Sequence, residues 1–180
     1  VVWVYAKTGE KDGRARISTF IVEKGMAGYS VGQKIKDKTG MRASTTAELV
    51  FENCKLPEQN LVGDVGESTK HMMKNLEIER VTLGAMSLGL AKRSLEIMNR
   101  YANEREAFGH KLSHFGQIQR HIGESYAEYK SCRTYLYDVA RRMDLSRIGN
   151  RVDTDGVKLI ASEMGKKVAD RAMQVLGGYG

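Results

Sequence analysis

One carboxylate, Glu79, interrupts an apolar segment near the middle of the sequence. From Val81 to Leu90 no side chain is charged. If the segment is helical, apolar residues recur on one face at three- and four-residue steps, and Glu79 fills the missing step. The members of this stripe are Met72, Leu76, Leu83, Met86 and Leu90.

Two roles fit a carboxylate at this position. Glu79 could pair with Lys74, with Arg80 or with a neighbouring helix. In an apolar pocket its pKa would instead rise, and the group could remove a weakly acidic proton near neutral pH as a general base. The spacing alone leaves both roles open.

The segment "NEREAFGHKL" carries a second set of groups suited to chemistry. Arg105 offers a rigid fork of donors that fits a phosphate or pyrophosphate, and Phe108 could pack against a planar ring. The alternative is a helix end at Gly109 with Arg105 paired to Glu104 or Glu106. Towards the end of the chain, the glycines of "MQVLGGYG" either end a helix or let the backbone approach a ligand.

Other catalytic classes lack their motifs in this sequence. It contains no GxSxG, no Walker loop, no paired CxxC and no HExxH, so we expect no serine hydrolase, P-loop enzyme or metal site. The net charge of +7 suggests an anionic partner. The basic residues are scattered, which favours a phosphate-bearing ligand over nucleic acid. The two cysteines, Cys54 and Cys132, are expected to be reduced thiols in an intracellular compartment.

Two kinds of sequence pattern, one in each part of the chain, predict an α+β protein. Up to residue 63, short β-rich runs separated by turn residues such as "TGEKDG" (8–13) and "KTGMRAST" (38–45) predict part of an antiparallel, barrel-like β-domain. In residues 64–180 the period changes, and helices are expected over 67–103, 116–143 and 154–176, forming an antiparallel bundle. Asp153 or Thr154 would cap the third helix, and Gly177–Gly178 would end it. No apolar run reaches the roughly 18 residues of a membrane span, and we expect no signal or transit peptide because residue 1 already opens a strand.

Three segments in this order resemble the acyl-CoA dehydrogenase family. Residues 18–63 ("STFIVEKGMAGYS…NLVG") resemble its middle β-domain, residues 76–112 ("LEIERVTLGAMSLGL…REAFGHKL") resemble the first long helix of its C-terminal domain with the RxxFG turn, and "AMQVLGGYG" resembles its QxxGG segment. The resemblance covers essentially all 180 residues, and the residues of "FIVEKGMAGYS" and "REAFGHK" are most similar to those of isovaleryl-type members.

The resemblance implies α,β-dehydrogenation of an acyl-CoA, most specifically isovaleryl-CoA to 3-methylcrotonyl-CoA. Glu79 in "LEIER" stands where isovaleryl-type and long-chain-type members carry the catalytic base, and the hydride would pass to N5 of FAD. The residues that the resemblance places along the substrate are Glu77, Ile78, Arg80, Arg14 and Ser18. Those it places along FAD are Arg105, Phe108, Gly116, Gln117, Gln174, Val175, Leu176, Gly177 and Gly178. A family glutamine is replaced by Gly116 here, so either Gln117 substitutes for it or that contact is lost.

The family also implies partners and a location. Members are homotetramers, built as dimers of dimers that share FAD across an interface, and they pass electrons to electron-transfer flavoprotein in the mitochondrial matrix or in bacterial cytoplasm. We expect the 180 residues alone to be inactive and to bind FAD weakly or not at all. Two alternatives remain open: another acyl-CoA specificity, long-chain or short and branched, and a non-catalytic oligomerisation module of the same fold.

Overall fold

The computed structural model describes residues 1–146 and 151–180. The chain divides into two compact units, Val1–Met72 and Met73–Gly180. The first contains the β-strands expected in the N-terminal part of the sequence, and the second contains most of the helical residues. The domain boundary expected at residue 63 stays a prediction.

A long β-hairpin dominates the first unit. Strand β1 (Val2–Lys11) pairs antiparallel with β2 (Arg14–Val22), and Lys11 stands opposite Arg14. The turn is therefore only Asp12–Gly13, with φ of 52° and 71°. This is the left-handed conformation that a two-residue hairpin turn requires and that an Asp-Gly pair adopts at low cost. The broader turn predicted over 8–13 was wrong, because residues 8–11 continue the strand.

Three shorter strands complete the strands of this unit. Strand β5 (Leu61–Val62) joins β2 to give the order β1-β2-β5, while β3 (Tyr29–Ile35) and β4 (Thr46–Phe51) form a separate pair. In the described residues neither sheet closes into a barrel. The predicted polar loop at 38–45 lies between β3 and β4, as expected.

Three long helices confirm the predicted helical spans. They are α1 (Ser68–Glu104), α2 (Gly116–Arg142) and α3 (Arg151–Leu176). The predicted cap of α3 was wrong, because the Thr154 hydroxyl lies inside the helix and donates to the Arg151 carbonyl at 3.1 Å. The predicted end was right: Gly177, with φ of 60°, follows the last helical residue. No helix among the described residues is long and apolar enough to cross a membrane.

The helices bury two adjoining apolar clusters. One joins Leu88 and Ala91 of α1 to residues of α2 and α3, and the other joins Met98 and Ala102 to Ala172 and Val175 of α3. Helices α2 and α3 run antiparallel, since Tyr135 in the second half of α2 contacts Asp153 at the start of α3, whereas Arg171 late in α3 contacts the earlier Glu128 of α2. The bundle therefore has the expected antiparallel arrangement.

The face of α1 that enters this core differs from the predicted stripe. Leu83, Met86 and Leu90 are 46%, 54% and 54% exposed, so the expectation that they line the core was wrong. The buried face instead runs through Gly84, Leu88 and Ala91. A Cβ on Gly84 would lie only 2.9 Å from Cγ1 of Val157. Small residues allow the helices to approach closely there, and such residues contribute little to an apolar stripe.

Candidate functional site

Glu79 lies on the outward face of α1. Its side chain is exposed, and exposed apolar side chains, Ile78 and Leu83, lie next to it in the chain and one turn further along the helix. The expectation of a carboxylate on a buried face was therefore wrong for this chain. The position suits a general base that acts on a bound molecule.

The two charged neighbours of Glu79 in "LEIER" point in other directions. Glu77 is only 3% exposed, so it is the buried acid of this segment. Arg80 is turned towards α3, where its Nε lies 2.6 Å from Oδ1 of Asp155. Successive residues of a helix are about 100° apart, which explains these different surroundings. Substrate contact by Glu77, Ile78 and Arg80 stays a prediction, and the Arg80 guanidinium already has a protein partner.

A small hairpin follows α1 and presents Phe108 at its tip. Strands β6 (Glu106–Ala107) and β7 (His110–Lys111) pair antiparallel, leaving Phe108–Gly109 as a two-residue turn with φ of 51° and 78°. Phe108 is 94% exposed, and its ring forms a T-shaped pair with that of Phe115, at a centroid distance of 6.4 Å and an interplanar angle of 76°. An aromatic face is thus available to a planar ligand beside the chain.

Arg105 stands at the base of this hairpin. Its backbone is fixed, because its N–H donates to Tyr101 and its carbonyl accepts from Leu112, both at 2.9 Å. The side chain is exposed, and within the described residues its guanidinium forms no ion pair with Glu104 or Glu106. The ion-pair alternative is therefore not formed, and the donors of Arg105 are free to bind an anion.

The start of α2 bears on the replaced family glutamine. Gly116 is the first residue of the helix, and a Cβ there would meet no atom within 4 Å. Packing within the chain therefore does not require glycine. The neighbouring Gln117 is exposed, and its amide nitrogen lies 3.2 Å from Nε2 of His121. Substitution of the lost contact by Gln117 stays a prediction, and it would need this amide to leave His121.

The end of α3 offers backbone and one amide side chain to a ligand. Gln174, Gly177 and Gly178 are exposed, and the first two line an open surface depression. The side chain of Val175 is buried in the bundle core, so only its main chain is accessible to a cofactor. Leu176 is half-buried at the last helical position.

The β1–β2 hairpin forms an open, positively charged depression in the first unit. It is lined by Lys11, Arg14 and Arg16 together with Asp12 and Glu67. Of these cations, only Arg14 was predicted to contact substrate. The pairing of Lys11 with Arg14 across a two-residue turn is the signal that adds Lys11, and Arg16 lies on the same face of β2 as Arg14 because it is two residues further along the strand. Three cations in one depression suit a phosphate group.

Acids and hydroxyls nearby are already engaged within this unit. Lys70 beside Glu67 holds the pKa of that carboxyl below its usual range, and Arg16 adds to the effect. Ser18 is fully buried, and its hydroxyl lies 2.6 Å from that of Thr8 and accepts the Gly66 N–H at 2.7 Å. A role for Ser18 in binding substrate stays a prediction, although its hydroxyl is used inside the protein.

The donor sets present do not suggest a metal centre. Among the described residues no three histidine, cysteine or acidic side chains are grouped so that they could hold an ion. In the second unit the accessible groups instead suit an anionic, aromatic ligand: a guanidinium without an ion pair among the described residues, an exposed phenyl ring and a glycine-rich helix end.

Comparison with known proteins agrees with these groups. The family model "Acyl-CoA dehydrogenase, C-terminal domain" matches residues 69–180. Mitochondrial isovaleryl-CoA dehydrogenase of Solanum tuberosum is 44% identical over 177 residues, which are 98% of this chain and 42% of that protein. Mitochondrial 2-methylacyl-CoA dehydrogenase of the same plant is 41% identical over the same shares.

A solved structure has a similar fold. Butyryl-CoA dehydrogenase from Megasphaera elsdenii aligns with a TM-score of 0.90 and 32% identity, over 98% of this chain and 46% of that one. The chain thus spans less than half the length of the proteins it matches.

Proposed function

Because the chain belongs to the acyl-CoA dehydrogenase family, we propose that it contributes the catalytic base and part of the FAD site to a flavin-dependent acyl-CoA dehydrogenase. The observation that carries the proposal is Glu79, a carboxylate exposed among apolar side chains on α1 of a chain with this family match.

In this proposal Glu79 removes the α-proton of an acyl-CoA thioester. Covering by the acyl chain would exclude water and hold the carboxylate against the weakly acidic α-carbon, as general-base catalysis requires. FAD, when bound, would supply the acceptor for the β-hydrogen, which leaves as a hydride. The exposed Ile78 and Leu83 would contact the apolar acyl chain beside Glu79.

The described residues have the chemistry to hold FAD. The guanidinium of Arg105 would bind the pyrophosphate, with Phe108 against a planar part of the cofactor. Gln117 and the segment from Gln174 to Gly178 would contact the remaining FAD groups, with Val175 using its backbone. We further propose that FAD is shared between subunits of a homotetramer built as a dimer of dimers.

The substrate is proposed to be a short, branched acyl-CoA. Two of the similar proteins are named for isovaleryl-CoA and 2-methylacyl-CoA, both of which are branched. Arg14, with Lys11 and Arg16, would bind phosphate groups of the CoA part. A methylene group is worth only about 1–3 kcal/mol in an apolar pocket, so selectivity should be graded. Electrons would pass to electron-transfer flavoprotein, in the mitochondrial matrix or in bacterial cytoplasm.

The test compares the full-length protein with its Glu79→Gln variant. Isovaleryl-CoA is mixed anaerobically with the FAD-loaded proteins, and bleaching of the flavin absorbance is followed. Loss of a general base should slow bleaching by about 10²–10⁴-fold while FAD content is retained. Glu96→Gln is the matched control, because Glu96 lies on the same helix in an exposed pair with Arg93 and should bleach at the wild-type rate.

Other outcomes would contradict the proposal. If Glu79→Gln bleaches as fast as the wild type, the base lies elsewhere and the isovaleryl-type assignment fails with it. Retained FAD without bleaching by isovaleryl-CoA, but with bleaching by another acyl-CoA, would replace the substrate and keep the base. A full-length protein that binds no flavin would favour the oligomerisation module.

A further inference from the structure

Asp155 on α3 contacts the turn of α1 that carries Glu79. Its Oδ1 lies 2.6 Å from Nε of Arg80, and its Oδ2 lies 3.4 Å from Nε of Arg151. We propose that Asp155 is a positioning residue for the dehydrogenation: by holding Arg80 against α3, it fixes the rotation of α1 about its own axis and so the direction of Glu79. This inference deepens the proposed function and rests on it.

The geometry of the helix links the two residues. Glu79 and Arg80 are consecutive, so about 100° of rotation separates their side chains around the axis of α1. Arg80 reaches α3, whereas Glu79 is exposed. Any rotation of α1 that moved Arg80 away from Asp155 would turn Glu79 by the same angle.

A second contact one turn further along limits the rotation as well. Gly84 lies against Val157, two residues after Asp155, at the close approach described above. Positions 80 and 84 of a helix lie above one another on one face. An ion pair and a close packing contact, one turn apart on α1, thus join one face of α1 to the first turns of α3, just where the proposed base is attached.

The environment of Asp155 makes the ion pair difficult to replace. Oδ1 is buried and accepts no well-directed hydrogen bond from the described residues, so its stabilisation comes from the charge of Arg80. Arg80 itself is mostly buried. Removing one charge leaves the other in a partly desolvated place, and the freed side chain would move towards water.

The competing role for Arg80 is direct contact with substrate, and kinetics can separate the two. A substrate contact present before reaction raises the half-saturating concentration when it is lost. A misdirected base lowers the limiting rate instead, because proton transfer depends on geometry in the transition state. A displacement of about 1 Å can cost about 10²-fold in rate.

The experiment measures anaerobic flavin bleaching by isovaleryl-CoA in the FAD-loaded, full-length protein. The variants are Asp155→Asn, Arg80→Gln and their combination. We expect each single variant to lower the limiting rate by about 10–100-fold, with half-saturation within about twofold of wild type and FAD content unchanged. The double variant should be no slower than the slower single variant, since both changes break one contact.

Matched variants separate positioning from general damage. Glu163→Gln removes an exposed carboxylate from the same helix and should keep the wild-type rate. Arg151→Gln removes the other cation beside Asp155 and should also keep most of the wild-type rate. Asp155→Glu, which restores the charge, should recover part of the rate lost in Asp155→Asn.

Three results would overturn the inference. One is a wild-type limiting rate in Asp155→Asn. Another is an Asp155→Asn protein that binds less FAD, has a higher half-saturating concentration and has a lower limiting rate, because such general damage assigns Asp155 to folding alone. The third is a raised half-saturation in Arg80→Gln only, which assigns Arg80 to the substrate. If none of the acyl-CoAs tested bleaches the flavin of the wild-type protein, the proposed function itself fails and the inference fails with it. This outcome is recognised before any variant is compared.

Discussion

Replacing Gly84 with alanine tests how closely α1 crosses the other helices. The added methyl carbon would lie 2.9 Å from Cγ1 of Val157 and 3.1 Å from Cδ1 of Leu136. Optimal carbon–carbon separations are about 3.5–4.0 Å, so both contacts are too short. Valine has one strongly preferred rotamer in a helix and cannot readily turn away. Backbone movement is therefore needed to accommodate the methyl group.

Two opposing effects determine the size of the change. Alanine gains about 1 kcal/mol of helix propensity over glycine. Overpacking a well-packed core costs about 1–3 kcal/mol, and two short contacts, one of them to a stiff side chain, place this site near the upper value. The free energy of unfolding should therefore fall by about 2 kcal/mol, from a cost of about 3 less the gain of about 1.

Gly89 provides the control on the same helix. A Cβ at Gly89 would meet no atom within 4 Å, so Gly89→Ala should gain the propensity without the clash and stabilise by about 1 kcal/mol. Urea unfolding followed by circular dichroism, on the full-length protein, measures both variants. Equal stabilisation by Gly84→Ala and Gly89→Ala would refute the close crossing. In the Gly84→Ala background, Val157→Ala should lower the free energy of unfolding by less than it does alone, because shortening Val157 makes room for the methyl group added at position 84.

The remaining predictions concern the α2–α3 interface. Arg171 donates to both carboxylate oxygens of Glu128, at 2.8 and 3.1 Å, and is mostly buried. Arg171→Met should therefore lower the free energy of unfolding, measured in urea, by about 1–3 kcal/mol. An unchanged free energy of unfolding would show that the pair is not formed. Burial raises the pKa of the Cys132 thiol, so iodoacetamide at pH 8 should label the less buried Cys54 first. The stability that comes from this shift is fully present below the pKa of the unfolded thiol, about 8.5, and is lost as the pH rises through the folded pKa. Above pH 9 the wild type should therefore lose stability relative to Cys132→Ala.

Helix positions could be predicted from the sequence, but not the face of α1 that packs. The spans expected at 67–103 and 116–143 match Ser68–Glu104 and Gly116–Arg142 almost to the residue, because periodicity and glycine punctuation are local signals. The packed face depends on which helices approach and how closely. Gly84 and Ala91 are buried because they are small, and a search for large apolar residues selects Leu83 and Met86 instead.

The candidate site could likewise be predicted only in part, because local motifs are visible in the sequence and contacts between distant segments are not. Glu79, Arg105 and Phe108 stand in short motifs that a reader of the sequence can recognise. The contact between Arg80 and Asp155 joins two helices that are far apart in the chain, and no local pattern marks it. Only the folded bundle brings those charges together.

The tip of the β6–β7 hairpin has a consequence for how this protein evolves. A bulky residue such as Phe108 at φ of 51° is strained by about 1–3 kcal/mol, and its ring is almost wholly in water. Selection for stability alone would favour asparagine or glycine there, since both accept a two-residue turn more easily. Phe108 therefore lowers stability at this turn and provides a surface aromatic group, and attempts to make the protein more heat-stable would be drawn to replace it.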